Sequence, residues 1–206
     1  MTLTSPDLAR PRRDVILGVA ADLFARRGYR ATSLADLAAA SGIAKPTLFH
    51  YFRSKQHILY ELYSQTMDMA LWQLGQVARA ELDPAEALHR MLCEHTLLIL
   101  ENRALFTILF DEEQELSPAQ LRAIKRQQKR YIELMVQPLR QLQAGDGLRA
   151  GLAPKIAVQG LIGMASWVYR WYEADRRLGA GEIASMLADL ALRGLLENPP
   201  TAEDRR

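Results

Sequence analysis

The chain has 206 residues, of which 49% are hydrophobic and 24% charged, proportions of a globular protein that argue against a disordered one. No stretch approaches the ~18 consecutive apolar residues of a membrane span, residues 1–13 lack the apolar core of a secretory signal, and the single cysteine, Cys93, rules out an intrachain disulfide and points to a reduced, cytoplasmic compartment. The net charge is only +2, but residues 1–60 hold nine Lys/Arg against four acids while the remainder holds 17 against 20, so a polyanionic partner is drawn to the N-terminal third.

Residues 1–11 are polar and proline-marked and read as a flexible tail. A helix is expected from Arg12 to Arg27, where Ile16, Ala20, Leu23 and Phe24 recur on one face. Gly28 sits where a left-handed residue ends a helix. Ser33, with Asp36 three residues on, resembles a capping box for a second helix through Leu34, Leu37 and Ala38 that stops at Gly42. A short third helix runs from Lys45 to Phe52, and Ser54 caps a long fourth that reaches Ala80. Breaks at Asp83-Pro84, Glu115 to Pro118, Gly145 to Pro154 and Gly179 to Gly181 set further helices near 84–100, 103–110, 118–144, 154–173 and 182–196. Residues 198–206 read as a second flexible tail. The predicted fold is all-α, with a domain over 12–60 and another over 61–197, and their boundary lies inside the fourth helix.

Residues Leu34 to Phe52 carry the most specific signal. Gly42 follows Ala38 by four, and Leu48 follows Gly42 by six. A small residue at Ala38 admits close helix approach, Gly42 makes the tight turn, and Ile43 and Leu48 lock the second helix onto the first, as in a helix-turn-helix. Lys45, Thr47, His50 and Tyr51 then lie on the open side of the second helix, suited to phosphates and base edges.

The run TSLADLAAASGIAKPTLFHYFRSKQHIL resembles the N-terminal domain of TetR-family repressors over residues 12–60. The resemblance implies that Thr47, His50 and Tyr51 meet phosphates and bases, that Lys45 is a groove contact, and that Lys55 takes a backbone phosphate at the fourth helix N-terminus. Two positions depart from the family pattern. Ala44 stands where Ser is usual, which removes a side-chain cap, and Pro46 partly offsets this. Phe49 stands where Tyr is common and has no hydroxyl to donate.

The C-terminal half shows no catalytic constellation and no complete metal set. His89 and Cys93, four apart, could begin a metal site, but an ordinary helix with a buried thiol is the simpler reading. Asp111, Glu112, Glu113 and Glu115 read as a solvated acidic run rather than a cation site. Trp167, Arg170 and Trp171 share a helical face that either frames a cavity for a large, mostly apolar anion or serves packing; Phe106, Phe110 and Met135 could line the same space. Small residues Ala157, Gly160 and Gly163 permit close helix approach, and Ile183, Met186, Leu187, Leu190 and Leu195 make the last helix broadly apolar.

FTILFDEEQELSPAQ and LIGMASWVYRWYEAD are similar to the C-terminal domains of TetR regulators of fatty-acid, steroid or other acyl-CoA catabolism. That resemblance implies an acyl-CoA effector, with no other cofactor, in a pocket near Phe106, Phe110, Trp167, Arg170 and Trp171. Arg103, Arg170 or Arg176 would meet its phosphates. It also implies that the last two long helices pair with their copies in a homodimer. A two-fold dimer on a palindromic double-stranded operator has an independent rationale, since its two heads read sites ~34–36 Å apart. Three other readings are an acyl-CoA-binding helical enzyme, a ligand-independent DNA-binding protein, and an activator rather than a repressor.

Overall fold

The computed structural model describes residues 6–173 and 178–196, with side chains from Arg12 onward. Residues 1–5, Arg176 and the 198–206 tail lie outside the described residues. The elements in chain order are α1 (Pro6–Arg27), α2 (Leu34–Ala40), α3 (Lys45–Tyr51), α4 (Lys55–Arg79), α5 (Pro84–Glu101), α6 (Arg103–Asp111), a 3-10 turn (Glu113–Glu115), α7 (Pro118–Ala144), α8 (Pro154–Ser166), α9 (Val168–Trp171) and α10 (Ala180–Leu195). No named strand occurs among the described residues; the one β-type pairing among them is an isolated bridge between Leu148 and Leu196.

The expected helices are present, with two differences. The first helix begins at Pro6 rather than Arg12; Pro suits a first helical position because its missing N–H would be unpaired there anyway. The helix expected over 154–173 is broken. α8 stops at Ser166, and Trp167 links it to the single turn of α9. The run Trp167 to Tyr172 contains no Gly or Pro, so nothing local announces this break.

The chain forms two compact units. The first comprises the described residues to Thr66 together with Arg103–Ile124, and the second comprises Met67–Asn102 and the described residues from Lys125. α4 and α7 therefore each run through both.

The first unit holds α1 to α3, the start of α4, α6, the 3-10 turn and the start of α7. Its core is Ile16, Leu17, Ala20 and Phe24 of α1 with Leu37, Leu48, Phe52, Ile58 and Leu59, all essentially inaccessible. α1 also packs on α6. Gly28 ends α1 with φ +84°, and its N–H donates to the Phe24 carbonyl. A left-handed residue there carries no Cβ penalty when it is glycine.

In the second unit α5 is the central helix. Leu88, Met91, Leu92 and Ile99 are buried, and α5 packs on α8, α9 and α10. Ile183 and Leu195 of α10 turn inward. By contrast Ile156 of α8 is 70% exposed, Leu190 of α10 is 60% exposed, and Met186 is also open. Ile156 of α8 and Met186 and Leu190 of α10 thus face away from the core of this unit. No described helix is long and apolar enough to cross a membrane.

Candidate nucleic-acid interface

The recognition elements are built by local chemistry. Ser33 Oγ accepts from the Asp36 N–H at 3.1 Å, and Asp36 Oδ2 accepts from the Ser33 N–H at 2.8 Å, a reciprocal capping box at the start of α2. The Ser33 hydroxyl bond, followed by its backbone N–H, holds the Asp36 carboxyl below its ordinary range, and Arg27 adds to this. Gly42 takes φ +64° and turns the chain, and the Ile43 N–H donates back to the Ala38 carbonyl at 3.0 Å. Leu37, Ala38 and Leu48 are buried where α2 and α3 meet. Ala44 precedes α3 with no side-chain cap, and Pro46 lies in the first turn.

With Leu48 and Phe52 turned inward, Lys45, Thr47 and His50 are exposed on the other side of α3, and Tyr51 is half-buried. Phe49 is exposed beside them. These four polar side chains span less than two turns of a seven-residue helix, short enough for its open side to meet a groove.

Lys55 is placed differently from the phosphate contact implied by resemblance. Its ammonium donates to the carbonyls of Tyr29 at 2.8 Å, Thr32 at 2.9 Å and Arg30 at 3.3 Å, and it lies 4.4 Å from the centre of the Tyr29 ring. An ammonium has three donors, so in this conformation all are engaged inside the unit. Lys55 holds the α1–α2 turn against the start of α4. Burial, followed by Glu115 and Glu112, pushes the Tyr29 phenol up to about 12, so it stays neutral there.

Sequence reasoning gave no role to Arg13 or Arg30. Arg13 pairs with Glu61 at 2.9 Å and lies over the Phe52 ring, 5.1 Å from its centre. Arg30 reaches Glu115 at 3.1 Å and Glu112 at 3.5 Å. Two members of the acidic run, expected to be solvated, are therefore ion-paired. Each of these pairs joins residues far apart in sequence, where no spacing signal exists.

The six expected effector residues divide between the units. Arg103, Phe106 and Phe110 belong to the first, and the two phenylalanine rings lie 5.7 Å apart. Arg103 lines a cleft of about 450 Å³ with Phe24, Tyr29 and Thr107, and neither Phe106 nor Phe110 reaches it. Trp167, Arg170 and Trp171 belong to the second unit. Both tryptophans are exposed, and Arg170 Nε donates to the Tyr169 hydroxyl at 2.9 Å while its guanidinium lies 5.1 Å from that ring centre. Met135, offered as a further lining residue, is fully buried.

The second unit also contains a buried polar chain that no sequence pattern announced. His95 of α5 has Nδ1 2.8 Å from the Tyr131 hydroxyl of α7 and Nε2 3.1 Å from Ser166 Oγ of α8. Burial drives its imidazole down to about 4, against a smaller opposing effect of the Ile162 carbonyl, so it is neutral at physiological pH. Burial likewise pushes the Tyr131 phenol well above its ordinary range, with Glu94 adding to it. His89 is engaged elsewhere: its Nε2 lies 2.9 Å from Asp189 Oδ1 and its Nδ1 3.7 Å from Cys93 Sγ. The thiol is partly exposed rather than buried. No group of three metal-ligating side chains occurs among the described residues.

Comparison with known proteins agrees with this geometry. Residues 16–62 match the model of bacterial regulatory proteins of the tetR family, and residues 81–195 match that of the tetracyclin repressor-like C-terminal domain. The chain is similar to the HTH-type transcriptional repressor KstR2 of Mycolicibacterium smegmatis, 27% identical with 96% of this chain and 97% of the relative covered. Among solved structures it resembles the ketosteroid transcriptional regulator KstR2 of Mycobacterium tuberculosis, with a TM-score of 0.81, 25% identity, and 96% and 98% of the two chains covered. It also resembles AibR, solved with isovaleryl coenzyme A and operator DNA, with a TM-score of 0.77, 26% identity, and 87% and 97% covered. A turn glycine at position 42, an open polar side on α3 and family matches over both halves converge on one identity: the chain belongs to the TetR family and is a DNA-binding transcriptional regulator, not an enzyme.

Proposed function

We propose that this regulator is a cytoplasmic homodimeric repressor of acyl-CoA or related lipid catabolism, released from a palindromic operator when an acyl-CoA binds its helical body. The observation that carries the DNA half is the open side of α3: Lys45, Thr47 and His50 are exposed, with Tyr51 at the edge, behind a fully buried Leu48. In this reading these four side chains meet phosphates and base edges, and Lys55 acts by positioning the turn ahead of α2. The dimer reading is supported by Ile156 of α8 and by Met186 and Leu190 of α10, apolar side chains that an isolated chain would leave in water.

The acyl-CoA reading draws on AibR, a relative solved with such a ligand and DNA together. Within the second unit Trp167, Arg170 and Trp171 are the proposed effector contacts, and Arg103, Phe106 and Phe110 of the first unit are candidates by resemblance alone. Arginine is the side chain best matched to the ligand's phosphates. Ligand and operator each favour one of two states, and each weakens the other's binding by the same factor. A coupling of ~3 kcal/mol corresponds to ~100-fold weaker operator binding. A gel shift on the DNA upstream of the protein's own reading frame, titrated with acyl-CoAs of varied chain and ring, tests the whole reading. Release by one acyl-CoA class and not by free coenzyme A is the expected result; no release by any of them removes the effector assignment.

A further inference from the structure

Within the first unit, three segments close into a ring of polar contacts. Arg30, in the α1–α2 turn, reaches Glu112 at 3.5 Å and Glu115 at 3.1 Å, at the two ends of the 3-10 turn. The Gln56 side-chain amide, at the start of α4, donates to the Glu115 carbonyl. Beside it, Lys55 donates to the carbonyls of Tyr29, Arg30 and Thr32. Thr32 directly precedes Ser33, the cap of α2. The 3-10 turn is therefore linked, through one guanidinium and one amide, to the two segments that set the position of the recognition elements.

We propose that Arg30, Glu112 and Glu115 are positioning residues that pass the state of the α6–α7 connection to the α1–α2 turn and so to the DNA-contacting helices. This inference rests on the ligand-switched reading above and names the joint by which that switch reaches the head.

Three observations favour a joint over a brace. Arg30 is 69% exposed in its side chain, and exposed ion pairs are weak and easily exchanged. A contact meant only to hold the fold would be expected in the core, where Phe24, Leu48 and Phe52 already serve. Glu112 Oε2 is buried and accepts no hydrogen bond among the described residues, with Arg30 Nε as its compensating charge. Separation of the pair thus leaves a buried carboxylate oxygen uncompensated, which makes the paired and unpaired arrangements distinct states. Finally, the 3-10 turn lies between α6 and α7, and α7 continues into the second unit. A shift of α7 along its axis would be felt at Glu115 before it is felt at α3. The acidic run thereby acquires a role beyond solvation.

The test needs no effector, because coupling is reciprocal. Hydrogen exchange is followed with and without a duplex that the wild-type protein has selected from a random palindromic pool. In the wild type the duplex is expected to slow exchange in α2 and α3 and also, by several-fold, at the Glu115 and Leu116 amides, which donate to Glu112 and Glu113. In Glu112→Gln/Glu115→Gln the α2 and α3 response should persist and the response of the 3-10 turn should vanish. Arg30→Ala should abolish it likewise, and Arg30→Lys, which keeps the cation between the two carboxylates, should retain it. An unchanged 3-10 turn in the wild type overturns the proposal, as does a response that survives undiminished in the double glutamine or Arg30→Ala variant. Failure of every acyl-CoA to release DNA would remove the effector reading and leave this result standing on its own.

Discussion

The Lys55 ammonium and the Tyr29 carbonyl lie 2.8 Å apart across 26 positions of sequence, with the Tyr29 ring 4.4 Å from the same ammonium. One side chain thereby caps a turn and packs on an aromatic face. A lysine at a helix start in a DNA-binding head invites the reading of a phosphate contact, but its donors are directed at the protein. The two roles predict different experiments.

Lys55→Met should lower the stability of the first unit by about 1–3 kcal/mol, the usual worth of hydrogen bonds from a charged donor. Operator affinity should fall as a consequence, yet the slope of log K against log salt should change little. A phosphate contact would instead lower that slope by about 0.9. Urea denaturation and salt-titrated binding on one variant separate the alternatives.

Lys45→Ala should behave in the opposite way. Its side chain is exposed on α3, so stability should move by no more than about 0.5 kcal/mol, while the salt slope should fall by about 1. A slope equal to that of the wild type would remove Lys45 from the interface.

Ala44→Ser should stabilise. The position before α3 is extended, at φ −70° and ψ 146°, and carries no side-chain cap. A serine hydroxyl there can accept from the unpaired N–H groups of the first turn, a gain of about 0.5–2 kcal/mol. Thermal unfolding of the variant checks it, and a melting temperature at or below that of the wild type would argue against the cap.

His95 makes stability depend on pH with a definite sign. Its folded value, about 4, lies below the ordinary value of 6.5, so the unfolded chain binds the proton more readily. Its contribution is complete above roughly pH 7, falls as pH drops from there towards 4, and is absent below. The difference corresponds to at most about 3 kcal/mol. Denaturant midpoints at pH 7 and pH 5 should diverge in the wild type and converge in His95→Gln, which keeps polar atoms near Tyr131 and Ser166.

Leu190→Glu should give a protomer that sediments as a monomer while retaining its helical content, since Leu190 faces away from the core. A dimer that persists in this variant would move the interface off α10.

Much of the fold was legible because its signals are local. Helix periodicity, the Ser33–Asp36 box and the turn at Gly42 are each written within a few residues, and each formed as expected. The break at Trp167 was not legible, since every residue from Ser166 to Trp171 tolerates a helix. Nor were the pairings of Arg30 with Glu115 or His95 with Tyr131, which join positions 85 and 36 apart. Lys55 shows a subtler limit: the direction of its ammonium depends on the carbonyls of Tyr29, Arg30 and Thr32, which the turn presents only once folded.

The bridge between Leu148 and Leu196, together with the Arg149 N–H bonded to the Leu195 carbonyl at 2.9 Å and Arg149 Nε bonded to the Leu196 carbonyl at 3.2 Å, fastens the loop ahead of α8 to the last turn of α10. Shortening the protein so that it ends at Gly194 would remove both of these carbonyl acceptors, whereas stopping after Leu196 would preserve them. An affinity handle or fluorescent fusion is therefore best joined beyond position 196, where it leaves this bridge intact.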